Sequence, residues 1–548
     1  MTAIPAVVSP RKSETNKVAS HVDMASVVPV IGKDIIELVS SAMYDNPLAI
    51  FREYVQNAAD AIDDAYVAGS LSATRPGRID ITLDLETRTI RIRDNGIGIA
   101  AGDALGLLTA FGASKKRGTG ARGFRGIGRF AALGYAQMVT FKTRKAGESV
   151  TSEIRWDCRK LKAALVDRAY DGDLVQLVRD TVSTSLYHDP EAPAAFFEVT
   201  LERVVRIKND LLLNGDAVER YLSETAPVPF HRDFPFGTEI RARLGRLVPE
   251  PRFLIFLNKS SQPVTRPHHS EFYVSKTKSD RALSIEFFEV ANGEGGLRAL
   301  GWLLHHNYLG ALHASPEIRG LRARLGDIQI GDESVFAEIF REPRFSSWTV
   351  GEIHLFDPKL LPNSRRDAFE RNRAYSDLVA QLVPLARLIT AKCRAGSAIR
   401  NRLKTFKHCA TRLSYLLDVL STQLLTRRQD SRIQHEIESI FSRLETLEQS
   451  SMLGDTDKKR IRAARSRFRA KFEAVEEPAD RGDPLEEMPV QQRAVYSKII
   501  ELVIECSPNK IDAQALVSRI KRRLLADKKH SRGENRQRHR VTRRPRLK

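Results

Sequence analysis

Glu53, Asn57 and Asp60 stand four and three residues apart in the run Phe51-Arg52-Glu53-Tyr54-Val55-Gln56-Asn57-Ala58-Ala59-Asp60-Ala61-Ile62-Asp63. On a helix turning about 100° per residue they fall within about 60° of one another, on one face. A carboxylate and a carboxamide one turn apart suit a hydrated Mg²⁺ ion, which keeps most of its waters and takes few protein ligands. Asn57 can ligate such an ion while Glu53 orients and deprotonates a water. An amphipathic helix with a solvated polar face gives the same pattern, and taken alone it is the simpler explanation.

Two further segments weigh against the simpler explanation. The run Thr89-Ile90-Arg91-Ile92-Arg93 leads directly into Asp94-Asn95-Gly96-Ile97-Gly98. Two glycines two apart after a strand allow a tight turn and close approach to a ligand. Asp94 at the strand end can accept a hydrogen bond from an exocyclic amine such as that of adenine. Then Gly123-Phe124-Arg125-Gly126-Ile127-Gly128 opens the apolar stretch FAALGYAQM. Glycines at a helix start expose backbone N–H groups to an anion, so this segment can cradle phosphate. A Rossmann turn needs a strand immediately before its glycines, and a basic loop stands there instead. No GxxxxGK[ST] occurs, which excludes a standard P-loop.

The elements that must carry these residues are legible in outline. A helical pattern runs from Asp34 to Tyr44. Asn46 can cap, and Pro47 can occupy the first turn of, a second helix that reaches Ala68 and stops at Gly69. RIDITLDL (78–85), TIRIR (89–93) and Val139–Thr143 alternate as strands do. From about Phe236, strand patterns (GTEIRARL, FLIFLN, SIEFFEVA, TVGEIHLF) mix with helices and predict a second α/β domain. Beyond it, Phe406, Cys409, Leu413, Leu416 and Leu420, and again Ile433, Ile437, Ile440, Leu444 and Leu447, recur at steps of three and four. Seams of about two heptads predict a packed helical hairpin.

In this order and spacing the three segments resemble the GHKL ATPases: gyrase, the heat-shock chaperones of the ninety-kilodalton class, histidine kinases and MutL. RExxxNAxDAxD, DxGxG and GxxGxG are that superfamily's successive boxes. The resemblance implies an α+β chain: a Bergerat-type α/β sandwich ATPase domain, a second, transducer- or middle-like α/β domain, and a C-terminal helical region with a basic tail. It implies ATP and Mg²⁺ as cofactors. Glu53 would be the general base and Asn57 the metal ligand. Asp60, Asp94, Gly96 and Gly98 would lie about the nucleotide, and Gly123, Gly126, Ile127 and Gly128 would hold its phosphates. Residues 100–122, with Ser114 and Lys115, would be the lid. The helix at 46–63 looks most like the HtpG-type chaperone version. FSSWTVGEIHLFDPKLLPNSRRDAFERN (345–372) resembles the chaperone middle segment, making Arg365 and Arg366 candidates for contact with the terminal phosphate. One departure stands out. The family often has Gly-Thr on the strand closing the pocket; Phe196–Leu201 lacks it, and Gly237-Thr238 comes later.

The expected divisions are a leader (1–28), the ATPase domain (29–228), the second α/β domain (229–385), a helical region (386–472), an acidic linker (473–489), a small helical segment (490–525) and a basic, disordered tail (526–548). Function narrows to two classes. One is a chaperone-like clamp that closes its lid on Mg-ATP, associates as a homodimer through the ATPase domain and acts on a protein client. The other is a nucleic-acid-associated clamp of the MutL or MORC kind. Charge separates them. The chain has 88 Lys and Arg against 68 Asp and Glu, a net of +20, and all of that excess resides in residues 458–471 and 519–548. Such runs suit DNA or RNA phosphates, or a solvated tail. Four scattered cysteines with no CxxC pair exclude a disulfide framework or zinc ribbon and fit a reducing, cytoplasmic setting. No apolar run approaches the roughly 18 residues of a membrane span.

Overall fold

The computed structural model describes residues 32–40, 46–112, 126–293, 295–421, 427–475, 485, 488–509 and most of 512–523. The first sheet has seven strands: β1 (Gly77–Asp84), β2 (Thr89–Asp94), β3 (Met138–Arg144), β4 (Val150–Asp157), β5 (Val182–His188), β6 (Phe196–Glu202) and β7 (Phe253–Leu257). Their order is β5-β4-β3-β6-β2-β1-β7, antiparallel except where β7 runs parallel to β1. Alternation sends Ile79, Ile81, Ile90, Ile92, Val139, Phe141, Ile154, Trp156, Val199 and Leu201 to one face, all buried. The opposite face carries ion pairs such as Lys142–Glu153 at 3.3 Å and Arg155–Glu153 at 2.9 Å. A sheet apolar on one side only must be covered on that side.

Helices supply the cover: α1 (Ile35–Ser40), α2 (Ala49–Val67), α3 (Ala101–Thr109), α4 (Cys158–Val166), α5 (Leu174–Thr181) and α6 (Gly215–Thr225). The α2 helix buries Ile50, Tyr54, Val55, Ala58 and Ile62 in the same core as the strands. Asn46 Oδ1 accepts the Leu48 N–H at 3.0 Å in the turn ahead of α2, but the helix N-cap is Leu48, not the expected Asn46, and has no side-chain cap. Gly69, at φ +70°, ends the helix.

The next stretch departs from its alternating pattern. GTEIRARL is not a strand but helix α7 (Gly237–Leu244), because Ile240 and Leu244, one turn apart, enter a second core together. FLIFLN, expected in the second domain, forms β7 on the edge of the first sheet, so the sheet crosses the expected boundary at 228/229. A hairpin, β8 (Glu271–Ser275) with β9 (Lys278–Arg281), leads into a five-stranded sheet of β10 (Ser284–Ala291), β11 (Leu297–His305), β12 (Gly320–Leu325), β13 (Ile328–Ile330) and β14 (Val350–Leu355), ordered β10-β11-β14-β12-β13. Three long helices follow, α8 (Arg373–Leu420), α9 (Arg427–Glu448) and α10 (Asp455–Glu473), then α11 (Val490–Cys506). Both apolar seams enter one core, joined by Ile461 and Phe468 of α10. No described helix is long and apolar enough to cross a membrane.

A buried charge network joins the five-stranded sheet to the end of α6 and the segment that follows it. Glu352 on β14 accepts from Arg324 Nε at 2.7 Å and from Arg266. Arg324 also donates to the Glu224 carbonyl at the end of α6, at 3.0 Å, and Arg266 to the Val228 carbonyl at 3.1 Å. Burial alone would push the Glu352 carboxyl up, but the two guanidiniums overcome it and hold the group well below the usual carboxylate range.

Candidate functional site

The site is built along α2. Its outward face presents Glu53, Asn57 and Asp60 in succession, Glu53 and Asp60 buried and Asn57 half-buried. Glu53 lies under the glycine stretch: a Cβ on Gly128 would come within 2.2 Å of Glu53 Oε2, so a larger residue there would displace the carboxylate. Its other oxygen, Oε1, is buried without a hydrogen-bond partner, with Arg52 at 3.6 Å and Arg366 at 3.9 Å. The carboxylate is thus held by charge rather than by hydrogen bonds on that oxygen.

Eight residues along, about 12 Å at 1.5 Å each, the loop after β2 docks on the same helix. The Ile97 N–H donates to the Ala61 carbonyl at 3.0 Å, and a Cβ on Gly96 would strike Ala61. Gly98, at φ +70°, packs so closely that a Cβ would lie 1.9 Å from the Arg144 carbonyl oxygen. Asp94 is buried, and its Oδ1 accepts the Gly96 N–H at 2.9 Å. Burial raises its carboxyl to about 7, against smaller opposing effects of that hydrogen bond and Arg93. These features fit an adenine nucleotide. A buried carboxyl waits for a polar edge at one end, and a carboxylate under a glycine turn waits at the other.

The floor beside Asp94 differs from the expected form. Asp94 pairs across the sheet with Phe197, and Phe197 with Thr143, so the three share one face in a row. Phe197 thus occupies the strand position beside Asp94. The hydroxyl nearby comes from Thr143 on β3, which donates to the Phe196 carbonyl at 3.0 Å and accepts the Ile99 N–H at 2.9 Å. Gly237-Thr238 is elsewhere, opening α7, with Gly237 against Phe230.

The stretch after the glycines is a 3₁₀ helix, Gly128–Gly134, rather than the expected α-helix. It offers turns and close approach more than an aligned run of amides. Gly126 is left-handed at φ +69°, and Ile127 is half-buried against the first core. Arg129, which the sequence did not single out, ties this turn down. Its guanidinium donates to the Gly126 carbonyl at 3.0 Å and to the Leu107 carbonyl of α3, while its own carbonyl accepts the Tyr54 hydroxyl at 2.8 Å. Ser114, Lys115 and Gly123 lie outside the described residues.

Arg365 and Arg366 have different fates. Arg366 is buried at φ +57°, a costly conformation for a residue other than glycine, and donates to Gln56 on α2. The Arg365 side chain is exposed, and its carbonyl accepts from Arg52 of α2 at 3.1 Å. A Pro362–Phe369 bridge closes the loop that presents them. Beside it opens a cavity of about 400 Å³ between α2 and α6, lined by Arg52, Arg220, Tyr221, Glu224 and Arg365. Asp94 and Asn57 do not line it, so it is distinct from the nucleotide-like face.

The basic run 458–471 is helix α10, and its charge is partly spent within the fold. Arg462 pairs with Glu448 at 2.5 Å, Arg465 with Glu448 at 3.0 Å and Arg469 with Glu438 at 2.5 Å.

Comparison with known proteins agrees with this geometry. Residues 49–180 match the family described as histidine kinase-, DNA gyrase B-, and HSP90-like ATPase. The chain is similar to the chaperone protein HtpG of Colwellia psychrerythraea, 32% identical over 161 residues, covering 26% of this chain and 24% of that protein. HtpG of Mycolicibacterium vanbaalenii is 31% identical over 161 residues (25% and 24%), and that of Frankia casuarinae 32% over 148 (23% and 22%). The matched part spans about a quarter of the length of these curated relatives.

Proposed function

We propose that the HSP90-like GHKL ATPase domain matched at residues 49–180 binds Mg-ATP along the outward face of α2 and hydrolyses it, driving a chaperone-like clamp. The observation that carries this reading is the pairing of Glu53 with Gly128 at one end of α2 and of Ala61 with the Asp94–Gly98 loop at the other. In this reading Asp94 accepts the nucleobase amine, and Asn57 holds a Mg²⁺ ion, which would neutralise phosphate charge. Glu53 takes the proton from the attacking water. Arg366 steadies Glu53 through Gln56 and supplies positive charge where negative charge develops. Closure of the segment after α3 and pairing of two copies through the ATPase domain complete the clamp.

The chaperone role rests on the likeness to HtpG over part of the chain. The competing nucleic-acid clamp loses some support on α10, where Arg462, Arg465 and Arg469 have acidic partners, and keeps the other basic residues of α10 and those of 519–548. Equilibrium binding tests the site itself: Asp94→Asn is expected to lose ATP binding and Glu53→Ala to keep it. Equal binding by Asp94→Asn and the parent protein would refute the nucleobase assignment. Capture of partners by Glu53→Ala held with ATP then separates the two classes, a protein client favouring the clamp proposed and nucleic acid the alternative.

A further inference from the structure

His231, Asp233 and His269 come together at the joint between the two sheets, away from α2. Their ligand atoms all lie within 4.8 Å of one another. His231 Nδ1 hydrogen-bonds Asp233 Oδ1, and His269 Nδ1 stands 3.0 Å from the same oxygen and 3.2 Å from Oδ2. The backbone around them is already paired. Phe230 bridges to Arg266, and the Arg266 N–H donates to the Pro229 carbonyl at 2.8 Å. His268 turns inward against Phe230, Phe234 and Trp302, and burial drives its imidazole down to about 3, so it remains a neutral core residue. Its neighbour His269 therefore faces outward, where His231 and Asp233 meet it.

We propose that His231, Asp233 and His269 bind one divalent transition-metal ion of the zinc class and so fasten the two chain crossings that connect the seven-stranded sheet to the second core. Two imidazoles and one carboxylate form a three-ligand set that leaves a position for water. Zn–N and Zn–O bonds of about 2.0–2.2 Å put tetrahedral ligands roughly 3.3 Å apart, so the ligand atoms need only small shifts, Asp233 parting slightly from the imidazoles. All three are part-exposed, at 41%, 49% and 44%, and can adjust and admit an ion. The histidines also line a recess of about 370 Å³ whose other wall, α6, adds Asp216 and Glu219. Arg220 and Arg266 border it as well, with Arg266 ion-paired to Glu352. Without metal the trio is a His–Asp–His hydrogen-bonded cluster, the state that the ion would replace. Mg²⁺ prefers oxygen ligands and would not compete.

The crossings are residues 226–236, between α6 and α7, and 258–270, between β7 and β8. A metal bridging them would stiffen the connection between the ATPase sheet and the five-stranded sheet without touching Glu53 or Asp94. The local sequence hid this site because its ligands are a His-x-Asp and a His 36 residues later, each unremarkable alone.

The test uses the full chain, stripped of metal and held in excess Mg²⁺. Co²⁺ titration followed by visible absorption, and Zn²⁺ titration by calorimetry, should each reveal one site. His231→Gln, Asp233→Asn and His269→Gln should each weaken it about tenfold or more, while His305→Gln should not. Zn²⁺ should raise the Tm of the parent protein and not that of His231→Gln/His269→Gln. Melting in chelator shows whether each variant is folded. No binding by the parent protein, or equal binding by the folded double variant, overturns the proposal.

Discussion

Arg366 and Gln56, 310 residues apart in sequence, are joined by a hydrogen bond from guanidinium to amide oxygen, one helical turn from Glu53. The loop after β14 thus reaches the carboxylate assigned the chemistry through a residue held in left-handed backbone. Arg366→Ala should lower kcat at least tenfold, about 1.4 kcal/mol, with little change in KM for ATP. Arg365→Ala, which removes an exposed side chain and keeps its carbonyl, should stay within about twofold of the parent rate. Steady-state phosphate release decides between them, and a larger loss from Arg365→Ala would contradict the geometry.

Asp94 should make nucleobase binding depend on pH. Its carboxyl, raised by burial to about 7, is protonated below that pH and is a much stronger acceptor for an amine once ionised. Affinity for adenosine, whose own charge is constant over this range, should fall toward tenfold per pH unit below about 7 and level off above it. The sign for stability is opposite. The folded chain holds this proton more tightly than the unfolded one, so the nucleotide-free fold loses stability as pH rises from about 4 to 7. Flat adenosine affinity from pH 5.5 to 8 would argue against the assignment.

Gly128→Ala places a methyl against Glu53 Oε2. Displacing either group by about 1 Å should cost on the order of a hundredfold in turnover. Gly454→Ala, with nothing within 4 Å of the added carbon, should leave turnover unchanged. Parallel rate measurements on the two variants test this contact.

Glu352→Gln leaves Arg266 and Arg324 buried without their shared carboxylate. Removing the charge of one partner in such a network should destabilise the fold by roughly 3–5 kcal/mol. Urea unfolding at neutral pH measures it. Since the carboxyl is held well below its usual range, its contribution is present at neutral pH and is lost only as pH falls through that lowered value.

The α2 face was legible because helical spacing alone puts Glu53, Asn57 and Asp60 together, and the glycine boxes say where a backbone must come close. What glycine 128 approaches was not legible, since that depends on how the turn falls back on α2. GTEIRARL fits both a two-residue and a 3.6-residue period, and eight residues are too few for either to prevail without the core that takes up Ile240 and Leu244. FLIFLN announced a strand but not its partner: parallel pairing with β1 is a long-range choice that no local pattern records. Likewise two adjacent arginines carry no mark of which will be buried; the loop closed by Pro362 and Phe369 selects Arg366. On α10 the positive charge was plain, but its acidic partners on α9 were not.

The measurement that bears most directly on the account is phosphate release from Mg-ATP by the full chain and by Glu53→Ala, with ATP binding measured on the same preparations. The account predicts nucleotide affinities within about threefold of each other and a loss of turnover of roughly a hundredfold or more, the scale of a missing general base. Undiminished hydrolysis by a Glu53→Ala protein that binds ATP normally would contradict it.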